Sequence, residues 1–150
     1  MPQSTVLVAI DGSDLALDAA RAGLALLAPD TAFAVVTVVE ASDPTLVTGT
    51  GIASGVMSAE ELDAIDEERV EEGRLALNDA AAALGRPDVE TILLRGDAGP
   101  ALCDAAREQD ARAIVMGSRG RGGIKRALLG SVSDYVVRNA HCSVVITRPS

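Results

Sequence analysis

Five short, predominantly apolar runs at residues 6–10, 32–39, 89–94, 112–116 and 143–147 limit what this chain can become. A strand with one wet face alternates apolar and polar residues, whereas a near-continuous apolar run belongs to a strand covered on both faces. Between the runs lie segments of helical character. Ser13 is a good N-cap with Asp14 in the first turn, and Leu17, Leu24 and Ala28 follow at helical spacing, so a helix is predicted from 13 to about residue 27, stopped by Pro29-Asp30. Ser58-x-x-Glu61 is a capping box. Leu62, Ile65, Gly73, Leu77, Ala80 and Leu84 recur behind it every three or four residues, with a gap near Val70, and predict a long helix ending at Gly85 and Pro87. Further helices are expected over 100–109 and 131–139. Residues 41–57, rich in Gly, Ser and Thr and without a period, read as a long loop.

Strand and helix therefore alternate along the chain, which predicts a doubly wound α/β domain of five parallel strands with helices on both faces. No internal repeat and no linker interrupts it, so residues 1–150 are read as a single domain. Aromatic side chains are nearly absent (Phe33, Tyr135, no Trp), so the core must be built from Ala, Val, Leu and Ile.

The chemistry concentrates in one stretch. The fourth apolar run ends in Gly117, and Gly120, Gly122 and Gly123 follow before Gly130-Ser131, where the last helix begins. Glycines allow a ligand close to the backbone, and a helix N-terminus offers unpaired N–H groups and a partial positive charge to an anion. Strand, glycine loop and helix N-terminus form what a nucleotide phosphate needs. The spacing is not that of a P-loop, because no GK[ST] occurs in the chain, nor of a dinucleotide fingerprint, because Lys125 occupies the place of its last glycine. The pattern is Gly117-x2-Gly120-x9-Gly130-Ser131.

Charge agrees with this placement. The chain carries a net charge of −9, which argues against nonspecific nucleic-acid binding, and two aromatic residues make no base-stacking platform. Between Asp110 and Asp134 there is no acidic residue, while Arg112, Arg119, Arg121, Lys125 and Arg126 all fall inside, so the cations gather around the glycine loop. Arg119, Arg121 and Lys125 are candidate phosphate contacts. No apolar run approaches the length of a membrane helix, and residues 1–5 lack the basic region of a signal peptide, so a cytoplasmic protein without membrane insertion is expected. Cys103 and Cys142 read as small apolar fillers, His141 as structural, and the acidic run Glu60, Glu61, Asp63, Asp66, Glu67, Glu68, Glu71 and Glu72 as the solvated face of the long helix.

The G-x2-G-x9-G-[ST] pattern resembles that of the universal stress protein family in its ATP-binding branch. Asp11-Gly12-Ser13 after the first strand, Gly96-Asp97-Ala98-Gly99-Pro100 and His141-Cys142-Ser143 extend the resemblance over essentially the whole chain. It implies a strand order of 3-2-1-4-5. The same order follows from the rule that ligands sit where strand order reverses, since it makes the strands carrying Asp11 and Gly117 neighbours, unlike the order 2-1-3-4-5. The resemblance further implies ATP, with Mg²⁺, as cofactor, and a homodimer joined through the last strand, 143–147. It places the nucleotide among Ala9, Asp11, Val39, Met116, Gly117, Gly120, Gly130, Ser131, Val132 and Ser133, with Val39 offering its backbone to the base and Asp11 its carboxylate to ribose or Mg²⁺. The expected function is a nucleotide-responsive regulatory module in stress adaptation, with no catalytic residue assigned. The alternatives are a slow ATPase or nucleotidyl-transfer enzyme, and a protein-interaction module of the same fold that binds no nucleotide.

Overall fold

Strand β1 (Val6–Ala9) lies at the middle of a five-stranded sheet in the order β3-β2-β1-β4-β5, with every neighbouring pair parallel. The computed structural model describes residues 5–42, 57–118 and 129–148. After β1 the elements are α1 (Asp14–Leu24), β2 (Phe33–Val39), α2 (Ala59–Ala83), β3 (Glu90–Arg95), α3 (Ala98–Glu108), β4 (Ala113–Gly117), α4 (Ser131–Asn139) and β5 (Ser143–Thr147). Fold class and strand order match the expectation. The predicted loop over 41–57 lies outside the described residues except at its two ends.

The element boundaries follow local chemistry. Ser13 caps α1, its hydroxyl oxygen accepting from the Ala16 N–H at 3.1 Å. The helix closes at Leu24, three residues short of the expectation, because the N–H groups of Leu26 and Leu27 turn to carbonyls three residues back and tighten the chain. Both halves of the Ser58–Glu61 capping box are formed at the start of α2. Helix α3 begins at Ala98, before Pro100 rather than at it. A proline is harmless there, since the first-turn N–H groups have no helical acceptor.

Alternate strand residues point to opposite faces and build two cores. Leu7, Ala34, Val36 and Ile114 meet Leu102, Cys103 and Ala106 of α3 and Val136 of α4. On the other face Val6, Val8, Val35 and Val115 meet Ala16 and Ala20 of α1 and Leu77 and Ala80 of α2. Leu7, Ile114 and the central valines are fully buried, each worth about 1.5–3 kcal/mol of transfer free energy. Small residues on the helices replace the missing aromatics by letting the layers close up. A Cβ on Gly23 would fall 2.2 Å from Cγ1 of Val115, so α1 sits against β4 only because residue 23 is glycine.

Parallel strands point all their carboxyl ends to one edge. At that edge β1 and β4 lie side by side, with Val6, Leu7 and Val8 registered against Ala113, Ile114 and Val115. The chain leaves β1 toward α1 on one face and leaves β4 toward α4 on the other. Here the strand order reverses, which in open α/β sheets is where a ligand crevice forms beyond the strand ends.

Candidate functional site

Helix α4 starts on that edge with a residue that has no side chain. Gly130 is its N-cap, in ordinary extended backbone at φ −72° and ψ 167°, and no side chain among the described residues caps the helix. The first helical bond runs from the Asp134 N–H to the Gly130 carbonyl at 2.9 Å. The N–H groups of Ser131, Val132 and Ser133 thus precede the first N–H that bonds within the helix and carry the positive end of the helix dipole.

The start of α4 is tied to the tip of β4 through one carbonyl. Ser118, the residue after β4, accepts at its carbonyl oxygen from the Gly130 N–H at 2.7 Å and from the Ser133 hydroxyl at 3.0 Å. Its own N–H donates to the Thr147 carbonyl at 3.0 Å, fastening β5 to the same point. Residues 118 and 130, the two ends of the glycine loop, are therefore held together. Ser133 is 2% exposed and its hydroxyl donates to the Ser118 and Gly130 carbonyls, so the hydroxyl is already engaged and the backbone N–H is the donor the residue has left to offer a ligand. Ser131 is exposed and occupies the first helical position rather than the cap.

Across the crevice, Ala9 and Ile10 end the β1 segment in the core, and Asp11 follows, half-buried. Oδ1 of Asp11 accepts from the Ser13 N–H at 2.9 Å and the Ser13 hydroxyl at 2.5 Å, across Gly12 at φ 84°. The carboxylate is anchored by the turn leading into α1, while Ser13 caps that helix. The Thr37 hydroxyl donates to the Ile10 carbonyl at 2.9 Å and steadies β1 from the β2 side. Met116, 6% exposed, packs into the core facing α3 and α4, and Gly117 ends β4 half-buried. Val39 ends β2, its carbonyl accepting from the Gly96 N–H at 3.0 Å.

Ala9, Asp11, Val39, Met116, Gly117, Gly130, Ser131, Val132 and Ser133 all belong to strand ends or to the helix start at the carboxyl edge of β2, β1 and β4. Gly120, Arg119, Arg121, Lys125 and Arg126 lie outside the described residues. Other residues stand apart from this edge. His141 is exposed just before β5. Burial pushes the thiols of Cys103 and Cys142 above their usual range, which disfavours the reactive thiolate.

One reading of the sequence needs correction. Asp66 is not on the solvated face of α2: its Oδ1 accepts from the Ser42 hydroxyl at 2.6 Å and the Ser42 N–H at 3.3 Å, beyond the end of β2. The Ser42 hydroxyl, more than Arg95 or Arg69 nearby, holds the Asp66 carboxyl below its ordinary value of 3.8. Ser118, Ser42, Asp66, Arg69 and Arg95 were not expected at this edge. The one signal in the sequence is the gap near Val70, where the apolar rhythm of α2 lapses because polar residues take over its inner face.

A glycine-capped helix start and an anchored carboxylate, on the two strands where the order reverses, define an α/β fold with a candidate anion site at its carboxyl edge. The model of the universal stress protein family matches residues 3–148, and the chain belongs to that family. It is 33% identical over 146 residues to universal stress protein YxiE of Bacillus subtilis, covering 95% of this chain and 97% of that one. Among solved structures, a universal stress protein in complex with cAMP is 30% identical, with a TM-score of 0.61 and coverage of 99% and 98%. A universal stress family protein from Burkholderia pseudomallei is 29% identical, with a TM-score of 0.62 and coverage of 99% and 97%. Among the described residues no helix is long and apolar enough to cross a membrane.

Proposed function

We propose that this protein binds ATP, with Mg²⁺, in the crevice between β1 and β4 and acts as a nucleotide-responsive regulatory module. The observation that carries this is the start of α4: a glycine cap, three N–H groups ahead of the first helical bond, and a backbone pinned to Ser118. Such a terminus stabilises a phosphate without a dedicated cation. The related structure in complex with cAMP supports an adenine nucleotide, and the Gly117-x2-Gly120-x9-Gly130-Ser131 spacing supports ATP.

In this reading the phosphates lie against the backbone of Gly117, Gly120, Gly130, Ser131, Val132 and Ser133, with Arg119, Arg121 and Lys125 supplying charge. The sugar lies over Ala9 and Met116, and the base reaches Val39. Among the described residues no group of three His, Cys, Asp or Glu is placed to hold a metal. In this reading Mg²⁺ enters with the nucleotide, and Asp11 offers it a carboxylate. Its anchored oxygen suits a ribose hydroxyl or a phosphate-bound cation better than in-line attack, which needs a base aimed at water. The nucleotide is then a signal rather than a substrate for rapid turnover.

Chromatography with mass detection of whatever fresh protein releases on denaturation tests the proposal. ATP near one per chain is the expected result. ADP would transfer the site to the slow-ATPase reading, and an empty protein that also fails to bind added Mg-ATP would overturn both. Pairing of β5 with its copy is the corresponding proposal for assembly: among the described residues this apolar strand pairs with β4 alone, and an edge strand invites a second one. Light scattering should then give twice the 15.3 kDa chain mass, and a monomer would overturn the dimer.

A further inference from the structure

Helix α2 is much longer than the strand it follows. Its 25 residues span about 37 Å, against about 23 Å for the 7 residues of β2. Only the C-terminal part can lie on the sheet, through Gly73, Leu77 and Ala80. Gly73 marks the boundary: a Cβ there would fall 2.9 Å from both Val39 Cγ1 and Leu93 Cδ1, so the helix closes tightly on the last residue of β2. Residues before Gly73 overhang the carboxyl edge.

On that overhang Asp66 and Arg69 take inner positions between the buried Leu62 and Gly73, at the spacing that Leu77 and Ala80 continue in apolar form. They grip the backbone leaving β2. Asp66 accepts both the N–H and the O–H of Ser42, and Arg69 donates to the Ser42 hydroxyl at 3.3 Å and the Glu40 carbonyl at 3.4 Å. Arg95, registered beside Val39, reaches the other oxygen of Asp66 at 3.7 Å. The Gly96 N–H completes the set at the Val39 carbonyl. Residues 39, 40 and 42 are thus each held, although 40 and 41 are exposed.

This clasp stands where the far end of a ligand would arrive. Adjacent strands lie about 4.8 Å apart, so a nucleotide with its phosphates at α4 and its sugar over β1 carries its base toward β2. We propose that Asp66 is a positioning residue: by gathering Ser42, Arg69 and Arg95 around the end of β2, it presets the wall against which the base binds. The inference rests on the nucleotide reading above. Asp66 does not touch the ligand; it spares binding the cost of ordering residues 39–42.

Titration calorimetry of the whole chain with ATP and with adenosine tests it. Asp66→Ala should weaken both ligands by the same factor, about tenfold, the scale of ordering a few side chains and a loop. Asp66→Asn, which keeps an acceptor for Ser42, should restore most of the loss. A loss confined to ATP, or wild-type adenosine affinity in a folded Asp66→Ala protein, would overturn the inference. So would an Asn variant as weak as the Ala variant, since the hydrogen-bonded clasp would then not be what matters. Should Asp66→Ala fail to fold, Ser42→Ala takes its place, with loss for both ligands expected and no loss overturning the proposal. A wild-type protein that binds neither ligand sinks the nucleotide reading and this inference together; one that binds both, with unaltered variants, sinks this inference alone.

Discussion

The two ends of the crevice are built from different materials. At the α4 end the donors are backbone N–H groups of a helix whose cap is glycine, and Ser118 holds them through its carbonyl. At the β2 end side chains do the holding, with Asp66 and Arg69 reaching across from a helix that overruns the sheet. A backbone end is rigid because the helix makes it so, and it suits a phosphate, whose shape hardly varies. A side-chain end is assembled from residues far apart in the chain and is easily altered by one substitution. In the proposed reading, the difference gives anion binding to the first end and selection of the remaining ligand to the second.

Gly130→Val should break the comparison most sharply. Its backbone angles are ordinary for a β-branched residue, so the fold should survive, while the added side chain stands over the first-turn N–H groups. Losing charge-assisted bonds at that point should cost roughly a hundredfold in ATP affinity. Adenosine affinity should be unchanged, the opposite of the pattern expected for Asp66→Ala. If both ligands are lost together in calorimetry, the two ends are not separate.

Asp11→Ala lies between them and should have an intermediate effect. If Asp11 meets sugar or Mg²⁺ as proposed, its removal should weaken Mg-ATP about tenfold, the scale of one hydrogen bond to a charged group. Loss of the two bonds from Ser13 should also lower the stability of the start of α1, by about 1 kcal/mol in urea titration. A variant that loses stability but binds Mg-ATP normally would reduce Asp11 to a turn residue.

The smallest effect concerns pH. The folded state holds the Asp66 carboxyl below its ordinary value of 3.8, through Ser42 first and then Arg95 and Arg69. A depressed carboxyl stabilises the fold above the unfolded-state value, and the contribution fades as pH falls through the folded-state value. Wild-type protein should therefore exceed Asp66→Asn by a constant, small margin at neutral pH, and the margin should close below 3.8. The Arg95 and Asp66 side chains are 54% and 24% exposed, so salt screens their pairing, and the Ser42 hydrogen bond should carry most of the margin. Urea titrations at several pH values check this, and a margin that persists at the acid limit would show that the charge of Asp66 is not its source.

Much of the fold was legible in residue pattern because its causes are local. Continuous apolar runs announce strands covered on both faces, Ser13 and the Ser58–Glu61 pair announce helix starts, and the strand order followed from where two marked loops had to meet. Where boundaries shifted, the reason was equally local: two three-residue bonds ended α1 early, and the tolerance of a first helical turn for Pro100 let α3 begin sooner. The α4 end of the crevice was legible for the same reason, since strand, glycines and helix start are consecutive in the chain.

The β2 end was not legible, because Ser42, Asp66, Arg69 and Arg95 have no fixed spacing and meet only through the fold. In the chain Asp66 is one acid in an acidic run, and only the overhang of α2 turns it inward. The same holds for Ser133, whose hydroxyl the structure spends on the Ser118 carbonyl, and for Gly73, whose missing side chain sets how closely α2 approaches Val39. Sequence by itself determined the strands, the helix starts and the backbone donors at α4, because short-range sterics and hydrogen bonding dictate them. Tertiary structure alone decided which polar side chains face the crevice, because helix length and packing distance are settled between elements.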